Sequence, residues 1–120
     1  MITSDQLADL GKRIEALRGY LEIERKLREI EEETQTTLSP GFWDDPKKAE
    51  ALMKKTNSKK EWTKAFATAE SALEDLTVLF DFNKEGEASE AEVEAQEVLF
   101  TDLLEDLEFK NMLGDEGDEL

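Results

Sequence analysis

The sequence predicts an all-α protein, an antiparallel bundle of three long helices in up-down-up order. Apolar residues recur at three- and four-residue spacing along three long stretches, which is typical of helices with one buried face. The 120 residues include only two prolines and six glycines, so few positions interrupt a helix. The stretches are joined by two short turn-rich segments, which favours antiparallel neighbours. A chain of this length has room for one modest core.

The first helix is predicted at about residues 4–33. Thr3 and Gln6 form a capping-box pattern at its start. One apolar stripe contains Leu7, Leu10, Ile14, Leu17 and Leu21, and another contains Tyr20, Ile23, Leu27 and Ile30. At about 100° per residue the two stripes are rotated by roughly 140° from each other. Neighbouring helices that cover different stretches would explain both faces; a second domain or a partner on one face is the alternative.

The second helix is predicted at about residues 46–83, after a break at residues 34–45. Asp45 suits the N-cap, and Pro46 suits the first helical position, where its missing N–H is harmless. Its apolar stripe includes Ala49, Leu52, Met53, Trp62, Phe66, Ala69, Leu73, Leu76 and Phe80. The short polar side chains of residues 56–58 compete for backbone hydrogen bonds, so a kink or looser turn is expected there.

The loop before the second helix is predicted to be structural. It comprises Pro40, Gly41, Phe42, Trp43, Asp44, Asp45 and Pro46. Phe42 and Trp43 are expected to clamp this loop onto the bundle rather than to bind a ligand. Trp62, on the helix stripe, is expected in the core.

The third helix is predicted at about residues 89–113. Gly86 marks the preceding turn, and Ser89 with Glu92 forms a second capping box. Gly114 suits the position that ends the helix. The buried stripe is expected to contain Val93, Gln96, Phe100, Leu103 and Leu107. Residues 1–114 then form one helical domain, and residues 115–120 are expected to be a mobile acidic tail.

The composition argues against an enzyme. Without cysteine there is no disulfide, thiolate nucleophile or zinc–thiolate site, and without histidine the commonest general base is missing. The carboxylates alone identify no acid–base pair. We therefore expect no catalytic residue, metal, cofactor or small-molecule substrate. No segment resembles a signal peptide or a membrane span, and the absence of cysteine favours the reducing cytoplasm.

The net charge of −16 is concentrated in the second half of the chain. Residues 1–64 contain 13 Lys/Arg and 13 Asp/Glu, whereas residues 65–120 contain 2 and 18. A basic stretch contains Lys47, Lys48, Lys54, Lys55, Lys59, Lys60 and Lys64. These lysines either form a solvated helix face or contact RNA, an acidic protein or another domain.

Residues 81–92 also match the spacing of a calcium-binding EF-hand loop. The ligand positions would be occupied by Asp81, Asn83, Glu85, Glu87, Ser89 and Glu92, with Gly86 at the sixth position. Ala88 is small where a larger apolar residue normally anchors such a loop. A turn followed by a capped helix produces the same spacing, and we favour that interpretation over weak calcium binding.

Segment 38–46 (LSPGFWDDP), with Ala49 after it, resembles the signature loop in the N-terminal domain of the bacterial peptide chain release factor 2 family. Three further segments agree with that family: 17–21 (LRGYL), 76–80 (LTVLF) followed by Gly86, and 107–113 (LEFKNML). The resemblance covers essentially the whole chain. The family's Gly-Gly-Gln and Ser-Pro-Phe motifs, which serve hydrolysis and stop-codon reading, are both absent.

The resemblance implies a helical N-terminal domain of a translation-termination factor that acts at UGA and UAA. In that family the domain lies near the GTPase-associated centre of the ribosome, at the stalk base formed by a ribosomal protein and rRNA. The implied partners are the ribosome and the remaining domains of the factor, and the seven lysines are candidates for either contact. Codon reading and hydrolysis would belong to other domains. A free-standing helical adaptor or coiled-coil protein is the alternative.

Overall fold

The computed structural model describes residues 1–114, which are almost entirely helical. The helices are α1 (Ser4–Tyr20), α2 (Ile23–Thr36), α3 (Pro46–Lys84) and α4 (Glu90–Leu113), with a short 3₁₀ turn at Phe42–Asp44. Residues 1–114 contain no β-strand, so the predicted all-α class is confirmed. The predicted tail at 115–120 lies outside the described residues. The described part is elongated, with extents of 61 × 28 × 18 Å.

The helix starts form where the capping patterns predict them. The Thr3 hydroxyl accepts a hydrogen bond from the Gln6 backbone N–H, and Ser89 accepts one from Glu92 in the same way. Asp45 caps α3 by accepting from the backbone N–H of Lys48 at 3.2 Å. Each contact satisfies a backbone donor that the first turn of a helix leaves unpaired.

The predicted continuous helix at 4–33 is wrong, because the chain breaks between Tyr20 and Ile23. Glu22 adopts a left-handed backbone conformation with φ of 50°, which an α-helix does not contain. Arg18 braces the break, since its guanidinium bonds Glu24 of α2 at 3.0 Å and also bonds Glu70 of α3. The break allows Ile23 of the second stripe to join the same core as Leu10, Ile14 and Leu17. Tyr20 and Leu27 of that stripe remain exposed. Four helices therefore replace the three predicted, and the up-down-up bundle of three long helices is not confirmed.

One end of the molecule is a three-helix bundle of α1, α4 and the second half of α3. Arg13 of α1 bonds Glu108 of α4 at 2.6 Å, and the N-terminal amine lies 3.7 Å from Glu94, so α1 and α4 run in the same direction. The largest fully buried apolar side chains are Phe66 and Leu76 from α3 and Phe100, Leu104 and Val93 from α4. Leu10, Ile14 and Leu17 supply the buried face of α1.

The other end is a two-helix arm, formed by α2 and the first half of α3 and closed by the loop at 37–45. The expected kink at residues 56–58 is absent, because α3 continues as one helix from Pro46 to Lys84. The single hydroxyl proton of Thr56 is shared between two acceptors, the Glu33 carboxylate at 2.6 Å and the Leu52 carbonyl at 2.9 Å. These bonds satisfy the hydroxyl within a continuous helix, so its competition for backbone bonds does not break α3.

Candidate functional site

The seven lysines of α3 do not share one face of the helix. Lys54 and Thr56 are two residues apart, or about 200° around the axis. Thr56 is buried toward α2, so Lys54 and, one heptad earlier, Lys47 lie on the opposite side. Lys48 and Lys55 form a neighbouring row. Lys60 and Lys64 form a third row, in which Lys64 lies beside Leu103 of α4.

Lys59 is not part of an open basic surface. Its side chain is only 12% exposed and lies between two carboxylates of α2, 3.0 Å from Glu29 and also bonded to Glu33. The other six lysines of the set are exposed. Lys59 therefore holds the arm together, and the available basic surface is smaller than the sequence indicates.

The electrostatics of this cluster favour its charged form. Burial alone would lower the pKa of the Lys59 amine, but the hydrogen bonds and charges of Glu33 and Glu29 outweigh it and raise the pKa above its ordinary value. Burial would raise the pKa of the Glu33 carboxyl, but hydrogen bonds from Lys59 and Thr56 keep it below its ordinary value. The pKa of Glu29 is also lowered, mainly by its hydrogen bonds with Lys59 and Arg25.

The arm packs along a heptad-spaced seam that includes polar residues. The seam positions are Ile23, Lys26, Ile30 and Glu33 on α2, and Ala49, Leu52, Thr56 and Lys59 on α3. The Lys26 side chain is 2% exposed, donates to the Leu21 carbonyl and lies 5.9 Å from the centre of the Trp62 ring. Burial, together with the positive charge of Arg25, lowers the pKa of Lys26. The spacing is that of a coiled coil, and internal contacts within this chain occupy it.

The loop at the end of the arm is held to the end of α2 and leaves an aromatic side chain exposed. The Trp43 indole N–H donates to the Thr37 carbonyl at 3.1 Å, and Phe42 packs edge-on against Trp43 at 4.9 Å. Gly41 has φ of +82°, which disfavours any other residue. Trp43 is 60% exposed, so the two aromatic residues fasten the loop to α2 and not to the core of the bundle.

The segment at 81–92 has the contacts of a turn and a helix cap. Asp81 and Asn83 lie within α3, and the Asn83 amide donates to the Ala88 carbonyl at 2.9 Å. Glu92 accepts from the Ser89 backbone N–H, which completes the capping box of α4. Within residues 1–114, no group of three acidic side chains converges in an arrangement that could hold a metal ion.

Two structural features of the arm were not predicted from the sequence, the helix break before α2 and the buried Lys26. The rotation between the apolar stripes signalled the break, and it was interpreted as two faces of one helix. Lys26 lies three residues after Ile23 and four before Ile30, which is a seam position. Lysine is almost never fully buried without a partner, so only its seam position indicated burial.

The sequence aligns with one part of a longer known protein. It is 34% identical to peptide chain release factor 2 of Haemophilus influenzae over 116 residues, which are 95% of this chain and 32% of that protein. The same factor from Proteus mirabilis is 32% identical over 94% of this chain, and that from an Acidovorax species is 32% identical over 95%. Each alignment covers 32% of the relative.

No protein-family model matches the sequence. Among residues 1–114, no helix is long and apolar enough to cross a bilayer. The chain spans about a third of the length of the curated relatives that it matches. The resemblance inferred from the sequence is therefore confirmed: this chain is similar, over nearly all of its length, to one third of bacterial peptide chain release factor 2, as an N-terminal fragment of that factor would be.

Proposed function

We propose that this chain is the N-terminal domain of a peptide chain release factor and acts in translation termination in the cytoplasm. The observation that carries the proposal is the alignment over 95% of the chain with release factor 2. Codon reading at UGA or UAA and peptidyl-tRNA hydrolysis belong, in this proposal, to the rest of the factor. The domain itself positions the factor on the ribosome, near the GTPase-associated centre.

The arm is the part of the domain best suited to contact the ribosome. Its loop exposes Trp43, and Lys47 and Lys48 follow directly in the first turn of α3. Lys54 and Lys55 repeat the same two rows seven residues later. Lysine contacts with phosphate supply affinity, and an exposed indole can stack on an unpaired base or pack against protein. The acidic surface of α4 would be repelled by RNA, so it lies away from rRNA in this arrangement.

A chimera tests this proposal. The corresponding first third of a bacterial release factor 2 is replaced by this chain, and binding to ribosomes paused at UGA is measured beside the intact factor and a factor that lacks the region. We expect the chimera to bind more tightly than the truncated factor and to release peptide on paused ribosomes. A chimera that behaves like the truncated factor would reject the positioning role.

Charge reversal then tests which surface makes the contact. In the chimera, Lys47→Glu with Lys48→Glu should weaken ribosome binding and reduce the dependence of log K on log salt by about 1.5–2, for two lost phosphate contacts. The substitutions should not harm folding, since acidic residues are favourable in the first turn of a helix. The control, Lys12→Glu with Lys84→Glu, makes the same change of charge outside the arm and should leave binding nearly unchanged. Lys84 lies over the Phe80 ring in the last turn of α3, so circular dichroism is used to verify that the control is folded. Equal losses in both variants would show a net-charge effect and not a contact.

The alternative, a free-standing helical adaptor or coiled-coil protein, predicts association of the chain with itself or with another helix. Heptad spacing in the arm favours it, but that seam is filled within the chain. Sedimentation of the isolated chain distinguishes the two functions. A stable oligomer that does not bind ribosomes would support the alternative.

A further inference from the structure

A second surface, remote from the arm loop, runs along the α3–α4 seam of the three-helix bundle. Two adjoining depressions there share Lys64, Thr68 and Leu103 and form one continuous groove. All of its lining side chains come from α3 and α4, whereas α1 packs on the other side of these helices. The groove extends from Glu61 to Asp75 on α3, or about 21 Å at 1.5 Å per residue.

The two walls of the groove differ in size. The α3 wall is built from small side chains, among them Ala67, Thr68 and Ser71, and the α4 wall presents Leu99 and Leu103. Leu99 is 51% exposed, although it adjoins the buried core. Small residues on one helix allow the backbone of another to approach closely, and leucines beside them supply apolar contact area. About four turns of a helix, or roughly 14 residues, would fill the length of the groove.

The charge around the groove selects the kind of helix that it can accept. Glu61 and Asp106 lie at one end and Asp75 at the other. Helix α4 carries eight acidic residues and one lysine, and the whole chain has a net charge of −16. The bundle of a second copy, with its acids on α4, would bring a negative surface to a negative groove, which like-charge repulsion opposes. The lysine-rich part of α3 in a second copy already packs its seam against α2.

We infer that this groove binds a basic amphipathic helix from a partner protein. The apolar face of that helix packs on Leu99, Leu103 and the small residues of α3. Its flanking lysines or arginines meet the acids at the two ends. Lys64, in the middle of the groove, contributes its aliphatic stem and keeps its amine in water. The surface is separate from the lysines of the arm, so this inference does not depend on ribosome binding.

A peptide-binding experiment with the full 120-residue chain tests the inference. The probe is an 18-residue helical peptide of leucine and lysine, with leucines at three- and four-residue spacing; a peptide with glutamate in place of each lysine is compared with it. We expect saturable binding of the Leu/Lys peptide only, with amide chemical-shift changes concentrated at groove residues. Equal binding of both peptides, no saturable binding, or shift changes spread over the surface would overturn the proposal.

Neighbouring leucine and valine residues on α4 provide a matched pair of variants. Leu99→Ser should weaken peptide binding about five- to tenfold, because it removes apolar contact area from the groove. Val98→Ser should not, since Val98 is 59% exposed and does not line the groove. Thr68→Tyr, which fills the groove with bulk, should reduce binding without a change of charge. If Leu99→Ser leaves affinity unchanged, or if sedimentation shows a dimer that Leu99→Ser disrupts, the proposed occupant is wrong.

Discussion

The bundle and the arm share helix α3, yet they are stabilised by different interactions. In the bundle, the fully buried side chains are aromatic or aliphatic, such as Phe66, Leu76 and Phe100. In the arm, the seam contains Lys26 and Thr56, which are both buried, together with the Lys59–Glu33 ion pair. Along one continuous helix, the contacts thus change from apolar packing to hydrogen-bonded polar pairs.

The bundle and the arm should respond differently to pH, salt and substitution. Apolar burial is not directional and depends little on pH or salt. Polar pairs in a seam require one alignment of the two helices, as a polar residue at a seam position fixes register in coiled coils. Substituting one residue of such a pair leaves the polar group of the other without a hydrogen-bond partner and poorly solvated. We infer that the bundle supplies most of the stability and that the polar seam fixes the alignment of the arm.

The largest expected effect is in the bundle. Phe100→Ala should lower the free energy of unfolding by about 3–5 kcal/mol, because Phe100 has no exposed surface and its loss leaves a cavity. Phe109→Ala, on the same helix at a site that is 54% exposed, should lower it far less. Urea unfolding followed by circular dichroism measures both. If the two losses were equal, the bundle core would not be the main source of stability.

The sequence predicted local features correctly in both regions, for physical reasons. Caps depend on a few neighbouring residues, so Thr3, Asp45 and Ser89 were identified correctly. Apolar spacing predicted the burial of Trp62, which is 4% exposed. These features follow from local chemistry and helical periodicity alone.

The features that were missed depend on contacts between distant segments. Glu22 has a left-handed conformation that its residue type does not signal, and Arg18 braces the break through Glu70, 52 residues away. Lys59 belongs to a basic stretch in the sequence, and only its contacts with α2 show that it is enclosed. Whether a lysine is a surface charge or a seam residue is decided by the helix that packs on it.

A smaller and more local effect is expected in the arm. Lys59→Met should destabilise the arm by about 2 kcal/mol, because Glu33, only 13% exposed, loses its cationic partner. Hydrogen exchange should accelerate in α2, whereas the amides of α4 should keep their protection. Native-state hydrogen exchange followed by mass spectrometry resolves the two regions.

The double variant Glu33→Met with Lys59→Met sharpens this test. Removing both charges leaves no unpaired carboxylate at position 33, so much of the lost protection in α2 should return. A double variant as unstable as Lys59→Met alone would mean that packing of the lysine stem, and not the ion pair, stabilises the arm. Equal acceleration in α4 would show that bundle and arm unfold as one unit.

Acid should destabilise the arm more than the bundle, although by less than the Lys59→Met substitution does. Because the pKa of Glu33 is lowered in the folded arm, its contribution to stability is present above the ordinary glutamate pKa of 4.5 and is lost as the pH falls through the lower folded value. Lys59 adds a contribution that is retained up to its ordinary pKa of 10.5 and is lost only above it. Lys26, whose pKa is lowered in the folded arm, opposes stability while it is charged, and this effect is relieved only as the pH rises toward its ordinary value. From about pH 5.5 to neutral the arm should therefore keep constant protection, and it should loosen in acid.

The core of the bundle is apolar, so acid should affect it less than the polar seam of the arm. Hydrogen exchange, corrected for its intrinsic pH dependence, should show α2 losing protection relative to α4 as the pH falls from 5.5 to about 3.5. Glu33→Gln keeps a hydrogen-bonding side chain of the same shape but cannot titrate, so it should reduce this loss. Glu29, whose pKa is also lowered, should account for the remainder. If α2 and α4 lost protection together in acid, the polar seam would not be the weaker link between the two regions.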